Sequence, residues 1–188
     1  MPQLIVQDNF LSKDYFQEIK DEVFSNRFPW FVSPVLGEYT PGTVPIKTSD
    51  PGFEPMMVHI VLDGNVIYSD LFYKLRPMFE EMDAFSVQKV KLNWLKRQDT
   101  IIEHGFHIDF PQAPDNNLTS IFYLNTNNGY TKFEDGTKIE SIENRLITFP
   151  VHLKHTGSTN TCDAQFRCVM NINWQRMKEG TGFLETVK

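Results

Sequence analysis

The chain has 188 residues, 40% of them hydrophobic and sixteen of them Phe, enough for one domain with a sizeable buried core and too apolar for a disordered chain. A formal net charge of −6, with no block of Lys or Arg, excludes extended nucleic acid or an anionic membrane surface as the main partner. A small anion held by one buried cation stays compatible with that balance.

Met1-Pro2-Gln3-Leu4-Ile5-Val6 has neither a basic start nor a long apolar run, so no signal peptide and no membrane span are expected. Cys162 and Cys168 are the only cysteines, which predicts free thiols in a reducing, cytoplasmic setting rather than a disulfide framework. Leu4-Ile5-Val6 reads as a short strand. Ser12 is a suitable N-cap, with Asp14 in the first turn, for a helix whose Phe16, Ile19 and Val23 recur at helical spacing. The stretch 26–52 carries Pro29, Pro34, Pro41, Pro45 and Pro51 among aromatics. It reads as a long loop over the core, equally a lid or a plain connector anchored by Phe28, Trp30 and Phe31.

Met56 to Leu62 reads as a strand ending in an Asp63-Gly64 turn. Ser69 is a candidate cap for a second helix, which Pro77 should kink or split. From Val87 onward the pattern is that of strands: Val90, Leu92, Trp94 and Lys96 alternate, and Ile101-Ile102 opens an extended run. Further strands are expected at 120–124, 130–133, 138–139, 145–149, 152–156 and 166–174, with turns at Asn127-Asn128-Gly129 and Glu134-Asp135-Gly136. The expected fold is mainly β with supporting helices: a double-stranded β-helix, or jelly roll, of the cupin kind. One domain is expected over 1–188, with helical support and the Pro-rich loop at 1–86, the jelly-roll core at 87–175 and a tail at 176–188.

The extended run ends in Glu103-His104-Gly105-Phe106-His107-Ile108-Asp109-Phe110. Residues two apart on a strand share a face, so His107 and Asp109 can hold one cation together. His155, at the end of a later strand, is the best third ligand, with His152 and His104 as rivals. His59 reads as a structural histidine. Two His and one carboxylate with open positions form the donor set of non-haem Fe(II) oxygenases. In the last strand Arg167, Val169, Asn171 and Asn173 share one face, while Phe166, Cys168, Met170 and Ile172 share the other. A cation followed by two Asn marks a polar pocket. Burying it unpaired is costly, and a carboxylate matches its planar fork.

Several segments together resemble the Fe(II)/2-oxoglutarate-dependent oxygenases, most of all the prolyl 4-hydroxylase-like branch. They are His107-Ile108-Asp109, Ile121-Phe122-Tyr123-Leu124-Asn125, Gly129-Tyr130-Thr131-Lys132-Phe133, the strand Asn144 to Phe149 ahead of His155, and Arg167 opening the last strand. The likeness spans about residues 88 to 175. Tyr130 stands where that branch has a second Gly, the twelve residues from His155 to Arg167 are a long gap, and Arg167 stands where many prolyl 4-hydroxylases have Lys. These departures weaken peptidyl-proline as the implied substrate. The resemblance implies a hydroxylase in which His107, Asp109 and His155 bind Fe(II), with 2-oxoglutarate and O2 as cosubstrates and succinate and CO2 as products. It implies that Arg167, helped by Tyr123, pairs with the far carboxylate of 2-oxoglutarate. Asn93 and Thr131 are candidate pocket residues by strand direction, and the substrate is a small molecule or a peptidyl side chain. Two alternatives stand beside this reading: a cupin-like metalloprotein that needs no 2-oxoglutarate, and a non-catalytic jelly-roll binding module.

Overall fold

In the computed structural model, which describes residues 4–34, 55–111 and 113–176, the strand-forming stretches pair into two antiparallel sheets. In chain order the elements are β1 (Ile5–Gln7), α1 (Lys13–Val23), β2 (Phe31–Pro34), β3 (Pro55–Asp63), β4 (Val66–Ile67), α2 (Leu71–Lys74), α3 (Arg76–Glu81), β5 (Ala84–Lys96), β6 (Asn117–Tyr123), β7 (Tyr130–Phe133), β8 (Lys138–Glu140), β9 (Arg145–Pro150), β10 (His155–Gly157) and β11 (Phe166–Arg176). The large sheet runs β1-β9-β6-β11-β5-β3-β2, with β4 folded back on β3; the small one runs β10-β7-β8.

The large sheet has two different faces because its strands alternate. One face carries Val90, Leu92, Phe122, Met170, Ile172 and Trp174, which join Phe16, Ile19 and Val23 of α1 and Leu71, Leu75, Met78 and Phe79 around α2 and α3 in the main core. The other face meets the small sheet through Ile121, Tyr123, Phe133, Ile147, Phe149 and Val169. Two facing sheets, one of them backed by helices, are the expected jelly-roll layering.

Local signals explain the helical layer. Ser12 Oγ accepts a hydrogen bond from Tyr15 N at 3.4 Å and starts α1. Pro77 splits the second helix as expected: α2 ends at Lys74, and the proline sits at the start of α3, where no N–H is needed. Asp70, not Ser69, occupies the N-cap position of α2, although Ser69 Oγ still accepts from Leu71 N.

Other boundaries differ from the sequence reading. β5 begins at Ala84 rather than Val87, and β10 begins at His155, because Pro150 to Leu153 form a turn closed by Leu153 N donating to Pro150 O at 2.9 Å. The run from Ile101 to Asp109 is not a regular strand: its pairing consists of isolated bridges, Glu103 to Ser158 and His107 to His155. The stretch 26–52 is not wholly irregular, since its described part includes β2 paired with β3. The rest of the anticipated lid, and the tail beyond residue 176, lie outside the described residues. Cys162 and Cys168 are free thiols. Among the described residues no helix is long and apolar enough to cross a membrane.

Candidate metal centre and anion pocket

His107, Asp109 and His155 come together although the first two do not lie on a regular strand. His107 N donates to His155 O at 2.9 Å and His155 N donates to His107 O at 3.1 Å, a doubly bonded antiparallel pair. Directly opposed residues project to the same side, and the two ring centroids are 4.7 Å apart. Asp109 completes the group: His107 Nε2 is 3.3 Å from Oδ1, and His155 Nε2 is 3.8 Å from Oδ2. One ligand atom from each of the three lies within 4.8 Å of the others, a geometry able to hold a metal ion.

Both imidazoles are set in one tautomer by the backbone. His107 Nδ1 lies 3.2 Å from Gly105 O and His155 Nδ1 lies 3.0 Å from Leu153 O, so each Nδ1–H donates and each Nε2 is turned to the centre, where the neutral form of either ring offers a lone pair to a cation. His155 Nε2 and Asp109 Oδ2 are buried and have no hydrogen-bond partner. Unpaired polar atoms are costly in an interior, and a cation between them satisfies both. Burial pushes the Asp109 carboxyl up. The His107 hydrogen bond, the His155 and His107 charges and a hydrogen bond from Asn173 outweigh it and hold the group at about 2. Burial lowers His155, against the pull of Asp109. Burial lowers His107 too, but its hydrogen bond to Asp109 wins and the net direction is upward. The rings of Phe149 and Phe133 wall the His155 side. The His107 side chain is 42% exposed, so the cluster is open there.

The other histidines stand apart from this cluster. His59 is buried on β3 with Nδ1 2.9 Å from Pro29 O, although its Nε2 is buried without a hydrogen-bond partner. His152 faces Asp115 at 3.5 Å on the surface. His104 is half-buried, and burial followed by the charges of Arg167 and His107 pushes it down to about 4, which keeps it neutral.

Arg167 is 2% exposed on the inner face of β11, as its alternation predicts. Its Nε donates to Ser141 Oγ at 2.7 Å and its Nη2 to Thr131 Oγ1 at 3.3 Å. Tyr123 donates from its hydroxyl to the same Thr131 Oγ1 at 2.8 Å, and its ring lies 5.7 Å from the guanidinium carbon. Among the described residues no carboxylate lies within ion-pair distance of Arg167, and burial pushes its pKa down. A desolvated guanidinium whose neighbours are hydroxyls is a ready site for an anion.

The expected pocket residues divide. Thr131 and Tyr123 are at Arg167. Asn93 is not: it lies on β5 opposite Val169 and reaches Asn171 Oδ1 at 3.5 Å. Sequence reasoning placed Asn173 on the pocket face but missed Ser141 and the tight fit of Gly129. A Cβ on Gly129 would come within 2.7 Å of Arg167 Cδ, 2.8 Å of Thr159 O and 2.9 Å of Asn127 Oδ1. The contacts of Ser141 and Gly129 with Arg167, and of Gly129 with Thr159, join distant parts of the chain, and no local pattern announces them.

No protein-family model matches the chain, and no curated protein matches its sequence. Solved structures do share its fold. A 2OG-Fe(II) oxygenase-family oxidoreductase from Burkholderia pseudomallei aligns with a TM-score of 0.60 and 11% identity, over 93% of this chain and 86% of that one. A prolyl-4-hydroxylase from Pseudomonas putida aligns at 0.57 and 11% identity over 94% of each chain. A prolyl hydroxylase from Trichoplax adhaerens, in complex with a hypoxia inducible factor oxygen degradation domain peptide fragment, aligns at 0.57 and 14%, over 92% of this chain and 83% of that one. The resemblance to these oxygenases expected from the sequence motifs thus extends to the fold of nearly the whole chain.

Proposed function

We propose that the protein is an Fe(II)- and 2-oxoglutarate-dependent dioxygenase that hydroxylates a small-molecule or peptidyl substrate, releasing succinate and CO2. The observation that carries this reading is Arg167, a buried cation without a carboxylate partner among the described residues, beside a His–Asp–His cluster with unsatisfied inward atoms. A five-carbon diacid answers both. The pairing of β10 with β7 sets His155 against Phe133 and Gly157 against Thr131. The metal end and the Arg167–Thr131 end are therefore two residues, about 6.6 Å, apart along the strands.

Two neutral imidazole nitrogens and one carboxylate fit Fe(II), with His107, Asp109 and His155 as the ligands. Bound Fe(II) with its cosubstrate supplies the redox chemistry that consumes O2 and 2-oxoglutarate and places hydroxyl on the substrate. The chain's own residues do the positioning. The Gly105 and Leu153 carbonyls fix the imidazoles, and Asn173 steadies Asp109. Arg167 pairs with the far carboxylate of 2-oxoglutarate, while Tyr123 and Thr131 add hydroxyls. Phe133 and Phe149 keep water from the His155 side, and substrate approaches where His107 is exposed. The peptide bound by the Trichoplax neighbour supports keeping a peptidyl substrate in view. Free thiols accord with a reducing, cytoplasmic setting.

The test is a 2-oxoglutarate titration of Fe(II)-loaded, oxygen-free protein, followed by the metal-to-ligand charge-transfer band. Arg167→Ala should weaken binding about 10- to 100-fold, and Tyr123→Phe about tenfold or less. Arg167→Lys should fall between wild type and Ala, since it keeps the charge and loses the fork. If Arg167→Ala binds as wild type does, the cosubstrate assignment fails and a cupin-like metalloprotein becomes the better reading.

A further inference from the structure

The face of β5 that looks into the site carries two lysines that nothing above has used. The pairing of β5 with β11 sets Lys89 against Asn173, Lys91 against Asn171, Asn93 against Val169 and Leu95 against Arg167. Opposed residues share a face, so Lys89, Lys91 and Asn93 lie on the same side of the sheet as Arg167. The opposite side of β5 is dry core, with Val90 and Leu92 fully buried.

Lys91 is half-buried, and among the described residues no carboxylate lies within ion-pair distance of it and no hydrogen bond satisfies it. Lys89, two residues away on the same face, is also half-buried and repels it. Burial and then Lys89 push the Lys91 ammonium down, while Asp109 pulls it back. The same ammonium opposes protonation of His107. Geometry places them too: the row Lys89–Asn173–Thr119–Phe149 crosses the sheet to the ring that packs on His155 at 4.8 Å, so Lys89, and Lys91 two residues on, stand at the level of the metal ligands. Arg167, opposite Leu95, is four residues or about 13 Å further along β5. A cosubstrate stretched between the triad and Arg167 leaves Lys91 free. Asn93 and Asn171 continue the same face with amides, and Asn93 Oδ1 is buried with no partner. Two unpaired cations and an unused acceptor beside a reactive centre, in a chain of net charge −6, form a local recognition surface rather than a general attraction for anions.

We infer that the substrate of this site carries a carboxylate, held by Lys91 with Lys89 behind it, while Asn93 takes a donor from the adjoining part of the same molecule. This rests on the oxygenase reading and narrows it to acidic substrates. The carboxylate belongs to a free acid or to an acidic side chain of a peptide, and one experiment separates the two.

Full-length protein is loaded with Mn(II) and 2-oxoglutarate without oxygen, and 19F line broadening of trifluoroacetate is compared with that of neutral trifluoroethanol. Paramagnetic broadening reports residence near the metal and needs no turnover. Trifluoroacetate should broaden strongly and trifluoroethanol weakly. Lys91→Gln should reduce the trifluoroacetate effect about tenfold or more, the size of one charge-assisted contact, with Lys89→Gln giving a smaller loss. 2-Oxoglutarate affinity should stay as in wild type, and metal affinity should not fall, since a repelling charge is removed. Displacement of trifluoroacetate by N-acetylglycine assigns a free acid, and displacement by acetyl-Gly-Asp-Gly-amide assigns a peptide side chain. Equal broadening of the two probes, persistence of the effect in Lys91→Gln, or displacement by the neutral amide counterparts would overturn the inference. Weakened 2-oxoglutarate binding in Lys91→Gln would overturn it too, by assigning the lysine to the cosubstrate. Wild-type protein that binds neither metal nor 2-oxoglutarate would instead sink the oxygenase reading, and this inference with it.

Discussion

Gly129 shows how closely the anion pocket is fitted at the scale of single residues. Its N–H donates to Asn127 Oδ1 at 2.9 Å, and its carbonyl accepts from Ser141 N at 2.9 Å. Ser141 in turn holds Arg167 through Oγ. The glycine backbone is thus fixed on both sides and has no room to withdraw. A methyl group there meets Arg167 Cδ at 2.7 Å and the Thr159 carbonyl at 2.8 Å, closer than real Cβ contacts allow. The guanidinium must shift, because the other contact is backbone. Gly129→Ala should therefore weaken 2-oxoglutarate binding about tenfold or more while leaving metal affinity unchanged. Gly157→Ala is the control, since its Cβ would lie 3.4 Å from Arg167 Nη1, a contact that a small adjustment relieves. The charge-transfer titration reads both variants, and equal affinities for Gly129→Ala and wild type would show that the pocket is looser than these distances imply.

At the scale of elements, the helical layer is tied to the large sheet by one residue at the start of β9. Asn144 has φ +58°, left-handed for a residue with a Cβ. Its Oδ1 accepts from Leu11 N at 2.9 Å and its Nδ2 donates to Leu11 O at 2.8 Å, both buried. Its own backbone bonds Phe10 N at 2.9 Å and Tyr123 O at 2.9 Å. One residue, through side chain and backbone together, thus joins the entry to α1 to the strand that carries Tyr123. Asn144→Ala loses both side-chain bonds and keeps the unfavourable φ, and should destabilise the fold by about 2–4 kcal/mol. Asn144→Gly loses the same bonds and relieves the backbone, so it should cost about 1 kcal/mol less. Denaturant melts order the three proteins; if the Gly variant is no more stable than the Ala variant, the hydrogen bonds alone account for the position.

Across the whole molecule, what was legible in the sequence was periodicity, and what was not was contact between distant segments. The alternation in β11 put Arg167 with Asn171 and Asn173 and put Cys168, Met170 and Ile172 in the core, as found. The His107–Asp109 spacing picked a pair that the structure does bring together, for a partly different reason, since no regular strand forms there and the bridge to His155 aligns the side chains. Ser141, Lys91 and the packing of Gly129 on Arg167 gave no signal, because each matters through a distant segment of the chain. That arrangement leaves the segment between β5 and β6 lightly held. Its backbone ties include Arg97 N to Gln165 O, Gln98 N to Asn160 O, His104 N to Gly157 O and the His107–His155 pair. Glu103 adds side-chain ties to Tyr130, Lys132 and Lys138, all near the surface and individually weak. A metal bound by His107 and Asp109 from this segment and His155 from β10 would staple the two together. Binding the folded state alone at about 100 times Kd contributes about 2.7 kcal/mol. In a chain of this size that raises Tm by about 5–10 °C. Fe(II) or Mn(II) should produce that rise in thermal scans, a chelator should reverse it, and amide exchange across residues 97–111 should slow when metal is added. His107→Ala and His155→Ala should abolish the shift, whereas His152→Ala should keep it, its ring being turned to Asp115. A shift that survives His155→Ala and vanishes in His152→Ala would place the third ligand on the wrong histidine and take the staple with it.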